Sequence, residues 1–442
     1  MMKRFFGFII IVFCCIPFAL KAANDWKSIT EDPAYIHRTM KKVTDVIVHD
    51  IYSPPVASRI YAYVTVAGYE AAVSSNNNYI SFAGQLHGLA ALPKPVASQQ
   101  YSAGLSAVHA MLLVAETLVI SEDTVKSFHA ELLQQYKNSG MPQPVYDSSL
   151  AFGKQIAASI LLWAAKDNYK ETRALGKYAV LDDSITWKPT PPAYMQAIEP
   201  YWGRMRTFIL DSVKNFKPLP ALPFSTDTAS TFYKEAKEVY DVGNDLTEEQ
   251  KFIASFWDCN PFKMNVNGHV MYATKKISPG GHWINITAVA CKQSHADFQK
   301  SAEAYACVSI TLADAFISCW DEKYRSIVVR PETYINNYID QSWMPLLQTP
   351  PFPEYTSGHS VVSAASAIIL TKIFGDNFSY TDSTEVEFEL QPRSFTSFNQ
   401  AAEEAAASRF YGGIHYNAAI VNGLTEGRKI GNYVLQHLKM QK

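Results

Sequence analysis

The sequence has almost no excess of charge of either sign. It contains 39 lysines and arginines against 41 aspartates and glutamates, which gives a formal net charge of -2 over 442 residues. A nucleic-acid-binding protein needs a basic surface to neutralise backbone phosphates, so this balance argues against such a function. We expect no nucleic-acid partner.

Long apolar runs are missing beyond the N-terminus. No later segment reaches the ~18 consecutive apolar residues that a membrane-spanning helix requires. Internal repeats and low-complexity tracts are also absent from the sequence. We therefore expect a mature chain without an integral membrane segment, and the sequence does not indicate its oligomeric state.

Cysteine is scarce, and its spacing is uninformative. Two of the six cysteines, Cys14 and Cys15, fall in the N-terminal apolar segment. The remaining four are Cys259, Cys291, Cys307 and Cys319. Their spacing matches no zinc-binding motif, and a large exported protein does not require disulfides. Two of them lie in a predicted helix, where we expect buried apolar residues rather than a bridge.

The N-terminus has the order of a secretory signal peptide. Lys3 and Arg4 precede the apolar run "FFGFIIIVFCCIPFAL", and the small residues of "KAAND" follow, with cleavage expected near Ala22 or Ala23. A membrane anchor is the alternative, but the apolar run is short for one. We assign residues 1–23 to a signal peptide and expect an exported protein, periplasmic or secreted.

Helical periodicity dominates the rest of the chain, and strand-like alternation is scarce. Pro54 and Pro55 open one predicted helix, and Thr247 with Gln250 forms a capping-box pattern at the start of another. A long helix is predicted from near Ser294 to the region of Lys323. The sequence predicts an all-α fold, a large helical bundle.

A proline-rich segment divides the predicted helices into two groups. We assign residues 24–167 to an N-terminal helical half, 168–228 to a connection, and 229–442 to a C-terminal helical domain. The connection carries several aromatic residues, among them Trp187 and Trp202, which are too many for a free tether. We expect a long ordered connection that packs over the helices.

Three short stretches in the C-terminal domain combine cations, histidines and a helix start. They contribute Lys323, Arg330 and Pro331; Ser357, Gly358 and His359; and Ser408, Arg409 and His415. Each stretch alone has an ordinary explanation. Lys323 could simply favour a helix C-terminus, Arg409 could be a surface cation, and His415 could be a core histidine.

Taken together, the stretches describe a pocket for a tetrahedral oxyanion. A helix that begins at Ser357 presents unpaired N–H groups and a partial positive charge, and Gly358 lets an anion approach the backbone. Arginine can bind two oxygens of such an anion at once. His359 adds a group that titrates near neutral pH.

The ordered pattern Lys-x6-Arg-Pro, Ser-Gly-His and Ser-Arg-x5-His resembles the type 2 phosphatidic acid phosphatase and vanadium haloperoxidase superfamily. The chain length and the helical N-terminal half resemble its large soluble bacterial haloperoxidase-like branch. By this resemblance, His415 bonds the central atom of the anion, and it would hold vanadium if vanadate is bound. His359 would be the acid–base group. The resemblance implies that the anion is bound by Lys323, Arg330, Ser357, Gly358 and Arg409.

The resemblance leaves the activity open. The first hypothesis is an exported vanadium-dependent haloperoxidase that oxidises halide with hydrogen peroxide at a vanadate cofactor, with phosphate as a competing anion. The second is a soluble acid phosphatase that hydrolyses phosphomonoesters through a phosphohistidine on His415. A third is a non-catalytic phosphate-binding protein. An aromatic-walled pocket would favour peroxide chemistry, and a wide polar mouth would favour phosphate esters.

Two positions depart from the superfamily pattern. Thr356 replaces the proline before Ser-Gly-His, and Ala419 replaces an aspartate four residues after His415. That aspartate orients the histidine ring through its other nitrogen. A backbone carbonyl, Asn417 or Glu404 could take its place.

The stretch "SPGGHWINI" suggests one further site residue. Gly280 and Gly281 would place His282 and Trp283 on a loop or at a helix entry. His282 is thus a possible pocket-wall residue without an assigned role. A turn followed by a buried tryptophan is the alternative.

Overall fold

The protein folds into a mainly helical structure, which confirms the all-α prediction. The computed structural model describes residues 25–74 and 76–442, so the predicted signal peptide lies outside the described residues. The α-helices are α1 Trp26–Thr30, α2 Ala34–His49, α3 Pro54–Val73, α4 Ala103–Leu118, α5 Glu122–Lys137, α6 Gln143–Ala164, α7 Tyr169–Arg173, α8 Thr231–Asn244, α9 Glu248–Phe256, α10 Pro279–Gln293, α11 Phe298–Ser326, α12 Pro331–Tyr338, α13 Gly358–Phe374, α14 Phe398–Tyr411 and α15 Asn417–His437.

Two short antiparallel hairpins interrupt the helices. Strands β1 Lys263–Asn267 and β2 Val270–Thr274 form the first, and β3 Tyr380–Asp382 and β4 Arg393–Phe395 form the second. The periodicity analysis did not single out these strands, because segments of three to five residues are too short to show a clear alternation.

The helix-start signals in the sequence correspond to real caps. Ser53 Oγ accepts a hydrogen bond from Val56 N at the start of α3, and both bonds of the Thr247–Gln250 capping box are present. The predicted start of the long helix near Ser294 is wrong by a few residues. Helix α11 begins at Phe298, because Asp297 caps it by accepting a hydrogen bond from Lys300 N at 2.7 Å.

Helix α11 is the central element of the structure. It packs against α3 of the N-terminal half and against α10, α13 and α15 of the C-terminal half, so the hydrophobic core is continuous across both halves. Among the described residues, α11 is the one helix whose length and composition would suit a membrane span. Its apolar window is 100% buried inside the protein, which is typical of a core helix.

The proline-rich connection packs over the helices, as predicted. Trp187 and Trp202 are buried, and Trp187 N donates a hydrogen bond to Ile327 O at the end of α11. The carboxylate of Asp314, in the middle of α11, accepts hydrogen bonds from the backbone N–H groups of residues 208–210 at 2.6–3.0 Å. These contacts attach the connection to the central helix.

Close packing between α13 and α15 sets the position of the α13 N-terminus. Gly427 on α15 lies directly over α13: a Cβ there would overlap the Val361 carbonyl oxygen and come within 2.9 Å of Ala364 Cβ. Glycine is therefore required for this distance between the two helices. The contact matters for function because the residues at the start of α13 belong to the candidate site.

We predict that Gly427→Ala lowers the free energy of unfolding by about 1–3 kcal/mol, because α13 and α15 must separate to admit the methyl group. Urea unfolding measures the change. Gly176→Ala is the matched control, since no described protein atom lies within 4 Å of a Cβ at this exposed glycine. An equal effect of the two substitutions would contradict the close contact.

Candidate active site

The N-terminus of α13 opens into a cavity that Gly358, His359, Arg409 and His415 help to line. Ser357 is the N-cap of α13: its Oγ accepts a hydrogen bond from Ser360 N at 3.3 Å, which leaves its O–H free to donate. A Cβ on Gly358 would have Trp320 Cζ3, at 3.6 Å, as its nearest described neighbour. The space beside Gly358 therefore belongs to the cavity.

Arg330 lies beside His415, behind the residues that line the cavity. It is the N-cap residue of α12 and is fully buried, with Nε donating to Phe352 O at 2.9 Å and Nη1 donating to Ile414 O at 2.8 Å. Nη1 also lies 3.1 Å from His415 Nε2. The other terminal nitrogen, Nη2, is buried and has no hydrogen-bond partner among the described residues.

Arg409 approaches the cavity from α14. Its Nη1 donates to Trp257 O at 2.6 Å, while its buried Nε has no hydrogen-bond partner in the described part of the chain. Burial lowers the pKa of Arg409 from its ordinary value, and the nearby Asp258 carboxylate opposes this change. With a normal pKa far above neutrality, arginine stays charged here.

In this structure Lys323 directs its hydrogen-bond donors to the turn before Ser357. It lies at the C-terminal end of α11 and is fully buried, and its Nζ donates to the carbonyl oxygens of Pro353 at 3.0 Å, Glu354 at 3.0 Å and Thr356 at 2.5 Å. An ammonium group has three N–H donors, so none is left for an anion in this arrangement. Lys323 contributes positive charge and holds the turn that precedes Ser357. Burial lowers its pKa to about 8.

His415 is held by a residue that the sequence analysis missed. Glu354 Oε1 accepts hydrogen bonds from His415 Nδ1 at 2.7 Å and from Tyr416 N at 3.0 Å. Because arginine can only donate, the contact from Arg330 Nη1 requires a lone pair on His415 Nε2. The imidazole is therefore the neutral Nδ1–H tautomer, and its Nε2 lone pair, which Arg330 Nη1 contacts in this structure, would bind a central atom in place of that contact.

Glu354 takes the place of the aspartate that Ala419 replaces. The two side chains proposed from the sequence were wrong: Asn417 is exposed, and Glu404 pairs with Arg393 and with Trp257 Nε1. Glu354 lies 61 residues before His415 in the chain, in the proline-rich turn before Ser357. An acidic residue next to the Ser-Gly-His stretch was the one signal that could have found it.

His359 is the second residue of α13 and is half-buried at the cavity surface. Its Nε2 has no hydrogen-bond partner among the described residues. Burial and the positive charge of Arg409 hold the pKa of His359 well below its ordinary value, and burial and Arg330 do the same for the pKa of His415. Both rings are therefore neutral at neutral pH.

His282 is not a wall residue, and this corrects the sequence-based hypothesis. It is the fourth residue of α10 and is fully buried, stacked on Trp257 at a ring-centroid distance of 4.5 Å. Its ring contacts Cys259 Sγ at 3.4 Å, and it is Cys259 that lines the cavity. A helix start at Pro279 turns this histidine towards the core, so it lies behind the wall.

The side chains around the cavity fit a bound oxyanion such as vanadate. Arg330 Nη2, Arg409 Nε and His359 Nε2 are buried nitrogens without partners among the described residues, and a buried donor without an acceptor costs about 1–3 kcal/mol. Oxygens of a tetrahedral anion would supply the acceptors. The same anion would add negative charge beside the three buried cations, of which Arg330 and Lys323 interact with the Glu354 carboxylate and Arg409 with that of Asp258.

The fold and this site define a helical protein whose cavity, beside a neutral histidine, fits an oxyanion. The chain is similar to the crystal structure of the first bacterial vanadium-dependent iodoperoxidase, with 49% sequence identity and a TM-score of 0.89 over 93% of this chain and 98% of that chain. The chain belongs to the bacterial vanadium-dependent haloperoxidase family. This confirms the resemblance inferred from the sequence motifs.

Other comparisons agree at a coarser level. Residues 338–441 match the VCPO second helical-bundle domain. The holo-type and apo-type structures of a bacterial vanadium-dependent chloroperoxidase share the fold, with 16% identity and TM-scores of 0.65 and 0.64. These alignments cover 88% of this chain and 94% and 95% of those chains. No curated protein matches the chain.

We predict that Glu354→Ala weakens vanadate binding by about 10–100-fold, because His415 loses the acceptor that orients its ring. Glu354→Gln keeps an acceptor oxygen and should recover most of the affinity. Titration calorimetry with orthovanadate measures both variants, and Glu403→Ala, at an exposed acid, is the control. Wild-type affinity in Glu354→Ala would show that this contact does not position the ring.

We also predict a pH dependence of stability from Glu354. Burial raises the pKa of Glu354 from 4.5 to about 7, with Arg330 and Lys323 opposing the rise and Glu235 adding to it. Because the folded-state pKa is the higher one, this contribution to stability is complete at low pH and is lost as pH rises through about 7. Glu354→Gln cannot ionise, so it should gain roughly 2–3 kcal/mol relative to wild type as the pH increases from about 5 to about 8.

Urea unfolding of both proteins across this pH range measures the difference. Glu403→Gln, at an exposed position, should run parallel to wild type at every pH. A constant difference between wild type and Glu354→Gln would mean that Glu354 does not change its ionisation in this range.

Proposed function

We propose that this member of the haloperoxidase family oxidises iodide with hydrogen peroxide at a vanadate held by His415. The main support is a set of buried nitrogens that have no hydrogen-bond partner among the described residues. They lie near the neutral His415 ring, at a cavity lined largely by aromatic side chains. The 49% identity to a structure described as an iodoperoxidase supports iodide as the halide.

Some site residues would bind the vanadate directly, and others would hold those residues in place. His415 Nε2 would bind vanadium, and Arg330 Nη2, Arg409 Nε and the N–H groups at the start of α13 would donate to its oxygens. Lys323 would supply charge through the turn that it holds. The chemistry that bound vanadate supplies is Lewis-acid activation of hydrogen peroxide towards a halide.

His359 is the residue placed to move a proton. Its Nε2 faces no protein acceptor or donor among the described residues, and it sits at the helix start beside the anion site. The net reaction, I⁻ + H₂O₂ + H⁺ → HOI + H₂O, consumes one proton. We assign to His359 the exchange of that proton with the reacting oxygen atoms.

The cavity wall supports iodide over smaller halides. The aromatic side chains of Phe262, Phe316, Trp320 and Phe352 line it beside one amide, Asn260, so an entering halide exchanges most of its hydration for apolar contacts. Iodide is the largest and least strongly hydrated of the common halides, so this desolvation costs it least. The apolar wall therefore favours the halide that loses the least hydration free energy on entering the cavity, which is iodide.

Two observations, the apolar lining of the cavity and the contact of Glu354 with His415, weigh against the two alternative functions. A phosphomonoester would need a polar mouth for its alcohol group, whereas aromatic and proline side chains surround this cavity. A non-catalytic phosphate-binding protein was favoured only by Ala419, and Glu354 now fills the role that Ala419 leaves vacant. Phosphate remains an expected competitor for the anion site.

We also propose that the enzyme works outside the cytoplasm. The support is the order of charged, apolar and small residues in the first 23 positions. N-terminal sequencing of protein recovered from the periplasm or medium would identify the cleavage near Ala22 or Ala23, and an intact Met1 on the exported chain would contradict it.

We predict that the purified chain oxidises iodide after incubation with orthovanadate and that phosphate suppresses this activity. Bromide should be oxidised more slowly and chloride more slowly still. His359→Ala should lower kcat by about 10²–10⁴-fold, because the proton exchange is lost. His415→Ala should abolish the response to vanadate. Triiodide formation measures the rates.

The exposed His437, at the end of α15, supplies the control, and His437→Ala should keep wild-type activity. Hydrolysis of a chromogenic phosphomonoester is assayed in parallel. Phosphate release without iodide oxidation by the vanadate-loaded protein would contradict the proposal and favour the phosphatase.

A further inference from the structure

A second group of ligand-type side chains lies behind the cavity wall. Cys259 Sγ and His282 Nδ1 are 3.4 Å apart, and His282 Nδ1 and Glu385 Oε1 are 3.1 Å apart. All three ligand atoms lie within 4.8 Å of one another, and all three residues are buried. None of them is among the residues that would bind the oxyanion, although Cys259 also lines its cavity.

These separations suit a tetrahedral metal ion. Zinc binds imidazole nitrogen and carboxylate oxygen at about 2.0–2.2 Å and thiolate sulfur at about 2.3 Å, so neighbouring ligand atoms in a tetrahedron lie about 3.3–3.7 Å apart. The two separations given above come close to this range without any rearrangement. Sulfur, nitrogen and oxygen together are a donor set for a first-row transition metal such as zinc, rather than for calcium or magnesium.

An unpartnered carboxylate oxygen points independently to a ligand. Glu385 is 3% exposed, and its Oε1 has no hydrogen bond among the described residues. A buried carboxylate oxygen without a donor is costly unless a cation compensates it. This oxygen lies 3.1 Å from His282 Nδ1 without the geometry of a hydrogen bond, so the cation that compensates it is either a protonated His282 or a metal ion bound between these two atoms and Cys259 Sγ.

The opposite side of the His282 ring is anchored as in metal sites. Nε2 lies 2.7 Å from Asp382 Oδ2 and 2.7 Å from Thr384 Oγ1, and Asp382 is itself held by the Thr384 N–H at 2.9 Å. A carboxylate that accepts Nε2–H fixes the histidine tautomer and leaves Nδ1 as the ligand atom. Nδ1 is the nitrogen that faces Cys259 and Glu385.

We propose that Cys259, His282 and Glu385 form a second metal site that binds a divalent transition-metal ion, with zinc as the best fit. The ion would connect three separate segments: the turn after α9, the first turn of α10 and the segment after β3. The proposal is independent of the haloperoxidase reaction, because its ligands are not those of the oxyanion.

The site would stabilise one side of the oxyanion cavity. Cys259 lines that cavity, and Trp257, two residues earlier, accepts the hydrogen bond from Arg409. A metal ion on Cys259 would fix this segment against α10. Metal binding should therefore raise the melting temperature, whether or not vanadate is present.

The test is a cobalt titration of the tag-free full-length mature chain after treatment with a chelator and dialysis. We expect one Co²⁺ per chain, with a near-ultraviolet charge-transfer band from the Cys259 thiolate, and displacement of that band by Zn²⁺. Cys259→Ser and Glu385→Gln should lose the band or bind at least 100-fold more weakly, since each removes one of three ligands.

Matched controls lie close by in the chain. Cys291→Ser changes another buried cysteine, on α10, and Glu387→Gln changes a nearby acid that pairs with Lys41 instead. Both should keep one Co²⁺ and the band. If Cys259→Ser fails to fold, Glu385→Gln and the wild-type titration still decide the question.

Two results would overturn the proposal. The first is wild-type protein with no stoichiometric Co²⁺ band and no rise in melting temperature with Zn²⁺, which would identify the cluster as an ion pair of His282 with its carboxylates. The second is an equal band in Cys259→Ser, which would place the cobalt elsewhere. Neither readout uses iodide oxidation, so failure of the proposed function is a separate result.

Discussion

The structure depends on keeping several positive charges buried around one cavity. Lys323, Arg330 and Arg409 are at most 1% exposed, and moving such charges out of water costs several kcal/mol each unless partners replace the water. Backbone carbonyls supply most of those partners, which is why the chain ends helices and forms turns here. In the turn before α13, for example, backbone carbonyl oxygens accept hydrogen bonds from Lys323 at the C-terminal end of α11.

This arrangement also explains how the site works without the aspartate of the superfamily pattern. Ala419 is fully buried, and its carbonyl accepts the Ser357 N–H at 3.1 Å, so this position serves to attach α15 to the start of α13. The histidine is oriented from the opposite side, by Glu354. That carboxylate lies on the turn that Lys323 holds, so one turn positions both the helix N-cap and the His415 ring.

Much of the fold and part of the site could be predicted from the sequence. Caps and proline positions are local signals, so helix starts at Pro54, Glu248 and Gly358 were correct. The candidate histidines and arginines were found because their order along the chain resembles a known pattern. Partners distant in sequence could not be found in this way. Sequence proximity points to Asn417 or Glu404 as the partner of His415, whereas its partner in the structure is Glu354, 61 residues away.

The role of Lys323 shows a different limit of sequence reasoning. A motif identifies a residue but does not say which atoms will use its hydrogen-bond donors, and here three carbonyls within one turn use all of them. The motif thus identifies Lys323 as a site residue, but its contacts with the turn before Ser357 are visible only in the structure.

Different groups in the cavity serve anion binding and the reaction itself. The buried cations and the start of α13 respond to the negative charge and oxygen atoms that phosphate and vanadate share, so they do not distinguish the two anions. Discrimination must come from groups that sense something else. His415 Nε2 offers a lone pair to a central atom that can expand its coordination, and the aromatic wall admits a weakly hydrated halide more readily than a polar ester. The buried cations and the start of α13 would thus suit either phosphate-ester hydrolysis or halide oxidation, and the apolar lining of the cavity favours halide oxidation.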